Sequence, residues 1–218
     1  MGFLFSEAII DQVSDIDNIH YCEDVGKQEE KENVVRAELA RHILPDFEKL
    51  QRNFYISSSC GVCGKSSIEA VEVACSRLTD SSGAGVTREL IFNLVHKMEP
   101  KQYLFGVTGG IQASGLFDLE GNLIFLREDI GRHNALDKII GAVLAKKGID
   151  FTKSIPILSG RAGFELVQKA IRAEIPIVAS IGAPSSLAVQ LANRFNLTLV
   201  GFLRKNTFNI YAGKQRIA

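Results

Sequence analysis

At 218 residues and 46% hydrophobic content, the chain can bury a real core, as one large domain or as a small domain attached to a larger one. Twenty-five Lys and Arg against twenty-five Asp and Glu leave no basic surplus, which argues against nucleic acid as the main partner, because phosphate neutralisation shows as excess positive charge. Four cysteines outside any disulfide framework, no signal peptide and no apolar run near about 18 residues point to a soluble protein of a reducing compartment, by default the cytoplasm, with no membrane partner.

Gly2 to Ile10 reads as a helix already under way, apolar on most faces, and raises the expectation of a further segment upstream of it. A short strand around Ile19 to Glu23, a charged hairpin tip over Gly26 to Asn33 and a strand pattern over Val34 to Leu39 follow. Arg41 to Phe54 is a mixed-charge connector compatible with a helix.

Next comes Cys60-Gly61-Val62-Cys63-Gly64-Lys65, preceded by Ser57-Ser58-Ser59. Two thiols separated by two residues can meet, share a sulfur or bind a soft metal. Gly61 and Gly64 allow the backbone to swing, and the Lys65 charge favours the thiolate, the form of cysteine that attacks and accepts sulfur. The reading is a mobile loop that carries sulfur. A structural zinc site needs a second ligand pair, and Cys22 and Cys75 are isolated. A zinc deaminase would want His-x-Glu upstream and a proline before the first cysteine, and both are missing, so no metal ligands are assigned. A thioredoxin-like redox pair after a Phe54-Tyr55-Ile56 strand stays open. Ser66 to Leu78 reads as helix or irregular core, with Cys75 as a small buried hydrophobe.

Thr87 to Met98 carries an N-cap candidate, an acid in its first turn and one apolar stripe, so it is predicted helical. In Phe105-Gly106-Val107-Thr108-Gly109-Gly110, the glycines suit either a close backbone approach to a ligand or a tight turn before a strand. Gly115 to Arg127 reads as a hairpin around Glu120-Gly121-Asn122. Then a pattern of strand, small polar turn and helix recurs three times, through Asp129-Ile130-Gly131-Arg132-His133-Asn134, through Ser159-Gly160-Arg161 and through Gly182-Ala183-Pro184-Ser185-Ser186. Leu197 to Leu203 is a fourth strand, with Phe208 to Tyr211 as a possible neighbour.

Such repetition predicts a largely parallel sheet with helices on its faces and all three turns on one edge. Helix N-termini there favour an anion, and Arg132, Arg161 and Arg204 would add fixed charge, so a phosphorylated small molecule is the expected guest. Plainer alternatives stand beside these readings. Arg161 can pair with Glu165 one turn on; His133, with Glu128, Asp129 and Asp137 nearby, can be a general acid or a ligand contact or equally a hydrogen-bonded structural residue; and Asp129 can be a turn or cap residue.

Taken together, Cys60-Gly61-Val62-Cys63-Gly64-Lys65, Thr108-Gly109-Gly110, Glu128 to Lys138, Ser159-Gly160-Arg161-Ala162, Ala183 to Ala188 and Phe208 to Tyr211 resemble, in order, the formate dehydrogenase accessory sulfurtransferase family of the FdhD type. The block around His133 is the most specific of these motifs. The resemblance implies an α/β fold similar to cytidine deaminase, a mixed, largely parallel sheet with helices on both faces. Residues 1–85 would form a smaller N-terminal α+β region bearing the cysteines, and residues 86–218 the deaminase-like domain. It implies a sulfurtransferase that takes persulfide sulfur from a cysteine desulfurase and passes it to the molybdenum or tungsten bis-guanine-dinucleotide cofactor of formate dehydrogenase, usually as a homodimer. Cys60 matches the persulfide position and Cys63 its partner. The cofactor-binding stretch falls on Phe202, Leu203, Arg204, Lys205, Asn206 and Thr207, to which the edge reading adds Gly109, Arg132, His133 and Arg161. A chaperone that binds the cofactor without transferring sulfur is the alternative. Two departures stand out: the start is shorter than is usual in the family, and Gln112 occupies the place where the family often has a histidine after Thr-Gly-Gly.

Overall fold

The structure is a computed structural model that describes residues 1–22, 33–45, 75–78 and 85–218. Cys60 and Cys63, most of the charge run at 26–33, the connector beyond residue 45 and most of the 66–78 segment lie outside the described residues.

The opening helix is shorter than its apolar run. α1 spans Gly2–Ser6 and stops where Ala8 turns to a positive φ of 56°. β1 (Ile16–Tyr21) and β2 (Val35–Leu39) form a small antiparallel sheet, close to the predicted strands. The described part of the connector, 41–45, is turn and coil, not helix.

α2 (Arg88–Met98) has the expected cap, with the Thr87 hydroxyl accepting from the Leu90 N–H. The glycine-rich stretch resolves into a short helix, α3 (Tyr103–Thr108), and a turn. Gly109 closes α3 with a φ of 67°, the left-handed conformation that glycine adopts without Cβ strain. The hairpin is as predicted: β3 (Gln112–Asp118) and β4 (Leu123–Asp129) pair antiparallel. The repeats follow as α4 (Arg132–Ala145), β5 (Ser154–Leu158), α5 (Phe164–Arg172), β6 (Ile177–Ser180), α6 (Ser186–Arg194), β7 (Thr198–Gly201) and β8 (Asn209–Ala212).

Six strands form one sheet in the order β4-β3-β5-β6-β7-β8. The expectation of a largely parallel sheet needs correction, because β4–β3, β3–β5 and β7–β8 are antiparallel and only β5–β6 and β6–β7 are parallel. The hairpin partner β3 inserts between β4 and β5, which the local strand-turn-helix pattern does not reveal. Two antiparallel steps restore direction, however, so β4 runs the same way as β5, β6 and β7. All three polar turns therefore open on one edge, as expected.

Side-chain alternation sends residues to both faces of the sheet. Leu158, Val178 and Leu199 pack under α1, α4, α5 and α6, while Ile157, Ile177, Ala179 and Val200 pack against α2. Side chains such as Leu136, Phe164, Leu166 and Leu191 are essentially excluded from solvent, and each contributes about 1.5–3 kcal/mol on burial. Cys75 is partly buried against the same core. Among the described residues, no helix is long and apolar enough to cross a membrane.

Candidate functional site: the carboxyl rim of the sheet

The rim is assembled from backbone before side chains. The β5–α5 and β6–α6 turns are pressed together: Gly182 N–H donates to the Gly160 carbonyl at 3.0 Å, and Ala162 N–H donates to the Ala183 carbonyl at 3.2 Å. A Cβ on Gly182 would lie 2.8 Å from backbone atoms of Gly160 and Arg161, so this approach requires glycine. The Ser180 hydroxyl donates toward the Gly160 and Gly182 carbonyls at 3.0 and 2.8 Å, locking the strand end beneath both turns.

Onto this platform β3, running the opposite way, brings its first residue. Gln112 pairs with Asp129 across the β3–β4 ladder, and its Oε1 lies 3.5 Å from the Ser159 hydroxyl. The amide fills the space above Gly160, where a Cβ would come within 2.4 Å of Oε1. Gln112 is thus a built part of the rim at the position of the expected histidine.

The β4–α4 turn is held by Asp129. Its Oδ1 accepts from the Gly131 N–H at 2.9 Å and the Asn134 amide at 3.1 Å, and its Oδ2 meets Lys138 Nζ at 2.6 Å. Burial pushes its carboxyl up, but Lys138, the Gly131 N–H and Asn134 outweigh this and hold it below the ordinary aspartate value. Asp129 is therefore the turn residue of the plainer reading.

His133, in the first turn of α4, does not use the acids nearest in sequence. Glu128 instead accepts from the Leu104 and Phe105 N–H groups at the start of α3, and Asp137 is buried with Lys169. His133 Nε2 lies 3.0 Å from Glu165 Oε2, in the first turn of α5. This pair joins two adjacent rim turns. Glu165, the acid that Arg161 could alternatively have paired with one turn on, meets the histidine, and Arg161 itself stands exposed at the rim. Arg132 is half-buried in the same turn, with its Cδ 3.7 Å from where a Gly160 Cβ would be. Gly109 sits at the α3 terminus as a conformational residue.

The 202–207 stretch leaves β7 toward the same edge. Phe202 adopts a φ of 53°, an uncommon backbone for a bulky residue, and is 41% exposed. The Phe202 and Leu203 N–H groups donate to the Gly182 and Ser180 carbonyls, and Arg204 N–H closes a turn on the Thr207 carbonyl at 2.8 Å. Arg204 Nη1 donates to the Ile181 carbonyl at 2.7 Å, so part of its guanidinium anchors the loop. Leu203 is buried, and Lys205, Asn206 and Thr207 are exposed along a cleft that also meets Glu99.

The structure thus brings Arg132, His133, Arg161 and the 202–207 loop to one edge, where backbone N–H groups and fixed cations suit an anionic ligand. Glu165 and Gln112 were not singled out as rim contacts, since their partners lie 32 and 47 positions away. Among the described residues, no group of acids, histidines and cysteines is placed to hold a metal.

A family model described as the FdhD/NarQ family matches residues 1–218. A sulfur carrier protein FdhD from Streptomyces coelicolor is 44% identical over 220 residues, covering 100% of this chain and 78% of the relative. Another, from Sulfolobus acidocaldarius, is 40% identical over 217 residues, covering 100% and 79%. A crystal structure provisionally assigned as a formate dehydrogenase accessory protein, from Desulfotalea psychrophila, superposes with a TM-score of 0.74 at 25% identity, covering 100% of this chain and 78% of that one. With the match running from the first residue to the last, the chain belongs to the FdhD/NarQ family.

Proposed function

We propose that the protein is a sulfur carrier that receives persulfide sulfur from a cysteine desulfurase on Cys60 and delivers it to a molybdenum or tungsten bis-guanine-dinucleotide cofactor destined for formate dehydrogenase. The observation that carries this reading is the convergence of three helix-opening turns, Arg132, His133 and Arg161 on one rim, in a family whose relatives are named sulfur carrier proteins. In this reading the guanine-dinucleotide cofactor is cargo, and Phe202 to Thr207, Gly109, Arg132, His133 and Arg161 are its binding residues. The scaffold is then a cytidine deaminase type used for nucleotide recognition. Residues 1–85 present the thiols, residues 86–218 hold the cargo, and the working form is a cytoplasmic homodimer.

In the first step the Cys60 thiolate attacks the terminal sulfur of the donor persulfide. A sulfur–sulfur bond forms at Cys60 as the donor's breaks, and the donor leaves as a thiolate. In the second, the Cys63 thiol attacks the inner sulfur of Cys60-S-SH. The products are a Cys60–Cys63 disulfide and one equivalent of hydrogen sulfide, with the two electrons for sulfane reduction coming from the two cysteines. Mass spectrometry after incubation with a desulfurase and cysteine tests the reading. One added sulfur atom, absent from Cys60→Ser, is expected; no uptake by the unaltered protein would favour a chaperone that binds the cofactor without transferring sulfur. Full sulfur delivery by Cys63→Ala would remove the second step.

A further inference from the structure

Giving sulfur to a metal centre moves protons as well as sulfur. When hydrogen sulfide displaces an oxygen ligand, the metal–oxygen bond breaks and a metal–sulfur bond forms. Both S–H bonds give up their protons, the departing oxygen takes both and leaves as water, and nothing is oxidised or reduced. A group beside the cargo that accepts each proton and passes it on lowers the barrier to this exchange.

The chain has four histidines, the residue type suited to that task near neutral pH. His20 lies on β1, His42 pairs with Asp15 just past β2, and His96 is in the last turn of α2, so of the four only His133 stands on the carboxyl rim. Its charged and polar neighbours are suited to other work. Arg132, Arg161 and Arg204 carry guanidinium groups, which donate hydrogen bonds but do not give up a proton. Gln112, at the position of the expected histidine, is a neutral amide. Asp129 is tied to Lys138, Glu128 to the Leu104 and Phe105 N–H groups, and Asp137 to Lys169.

The contact with Glu165 gives His133 a direction. With Nε2 3.0 Å from the Glu165 carboxylate, the neutral imidazole carries its proton on Nε2 and has its lone pair on Nδ1. Glu165 lies in the first turn of α5, where the helix end favours a carboxylate, and its negative charge compensates an imidazolium formed across the pair. The histidine side chain keeps 29% of its surface exposed against 18% for the glutamate, so the imidazole is the member of the pair more open to a ligand.

Resting on the function proposed above, we infer that His133 is the proton shuttle of sulfur delivery: its Nδ1 takes a proton from the incoming sulfide and returns it to the departing oxygen, with Glu165 as the positioning residue. Two such passages complete the exchange and leave the histidine neutral and the glutamate ionised, as they began.

Single-turnover delivery tests this, using the full chain loaded with radiolabelled sulfur on Cys60 and a saturating amount of the oxygen-ligated molybdenum bis-guanine-dinucleotide cofactor, so that neither loading nor affinity limits the rate. Thermal melts check the fold of each variant. His133→Ala should deliver about a hundredfold more slowly, and added imidazoles should restore delivery in proportion to their basicity, which the loss of a purely structural clasp between two turns would not allow. His133→Gln, which keeps a donor toward Glu165, should melt like the unaltered chain and still deliver slowly. Glu165→Gln should slow delivery less than His133→Ala, and Glu165→Asp should recover part of that loss. Delivery at the unaltered rate by either His133 variant, or a slow His133→Ala that no added base restores, overturns the shuttle and leaves the sulfur-carrier reading standing. If the unaltered chain takes up no sulfur on Cys60, both are overturned.

Discussion

Gly182 shows how a single missing side chain builds the rim. A methyl group there would meet backbone of the neighbouring turn at 2.8 Å, and backbone cannot move aside as a flexible side chain can. Gly182→Ala should cost about 1–3 kcal/mol, read as a lower urea midpoint with unchanged slope. Phe202 presents the opposite case, a bulky, partly exposed residue held at a φ of 53°. Phe202→Ala keeps the left-handed strain and Phe202→Gly removes it, so the glycine variant should be the more stable of the two by about 1 kcal/mol in the same measurement. Asp129 ties the rim to pH. Its folded value lies below the ordinary one of about 3.9, so its contribution is fully present above that value and is lost as pH falls through the lower folded value. Asp129→Asn should therefore flatten the fall in melting temperature below about pH 4; an unchanged acid limb would show that Lys138, Gly131 and Asn134 do not hold the carboxylate.

Helix α1 is joined to the main body by polar contacts that no local pattern announces. Ser6 donates to Asp137 Oδ1 at 2.8 Å, and Lys169 Nζ meets both Asp137 oxygens at 2.8 and 2.7 Å, all three residues being buried. Asp137 lies on α4 and Lys169 on α5, so one carboxylate links three helices. Removing one partner of such a pair leaves an uncompensated buried charge, whereas removing both restores an apolar interior. Lys169→Met should destabilise by about 3–5 kcal/mol. Asp137→Leu with Lys169→Met should recover most of that loss, which a double-mutant cycle in denaturant measures. Additive losses would show that the two residues act independently. Gly2 strengthens the docking, since a Cβ there would overlap the Asp137 carbonyl at 1.9 Å.

Across the molecule, the long helices and strands from Arg88 onward were legible from apolar periodicity, the Thr87 cap and the turn residues, because these are short-range consequences of backbone geometry. The convergence of the three polar turns was legible too, since each opens a helix after a strand of the same direction. The position of β3 was not, because strand order is decided by which partners bury the most surface across long sequence separations. The same limit applies at the site. Asp129 could be read locally as a turn residue, but the partners of His133, Gln112 and Asp137 lie on other elements, 32, 47 and 32 residues away. The order of the amino acids alone settled the long elements from Arg88 onward, the Thr87 cap and the motifs that mark the family, each a matter of neighbouring residues. Only the folded chain decided that Glu165 faces His133 and that Arg88 and Lys214 share a cleft, because such contacts exist only once distant segments pack.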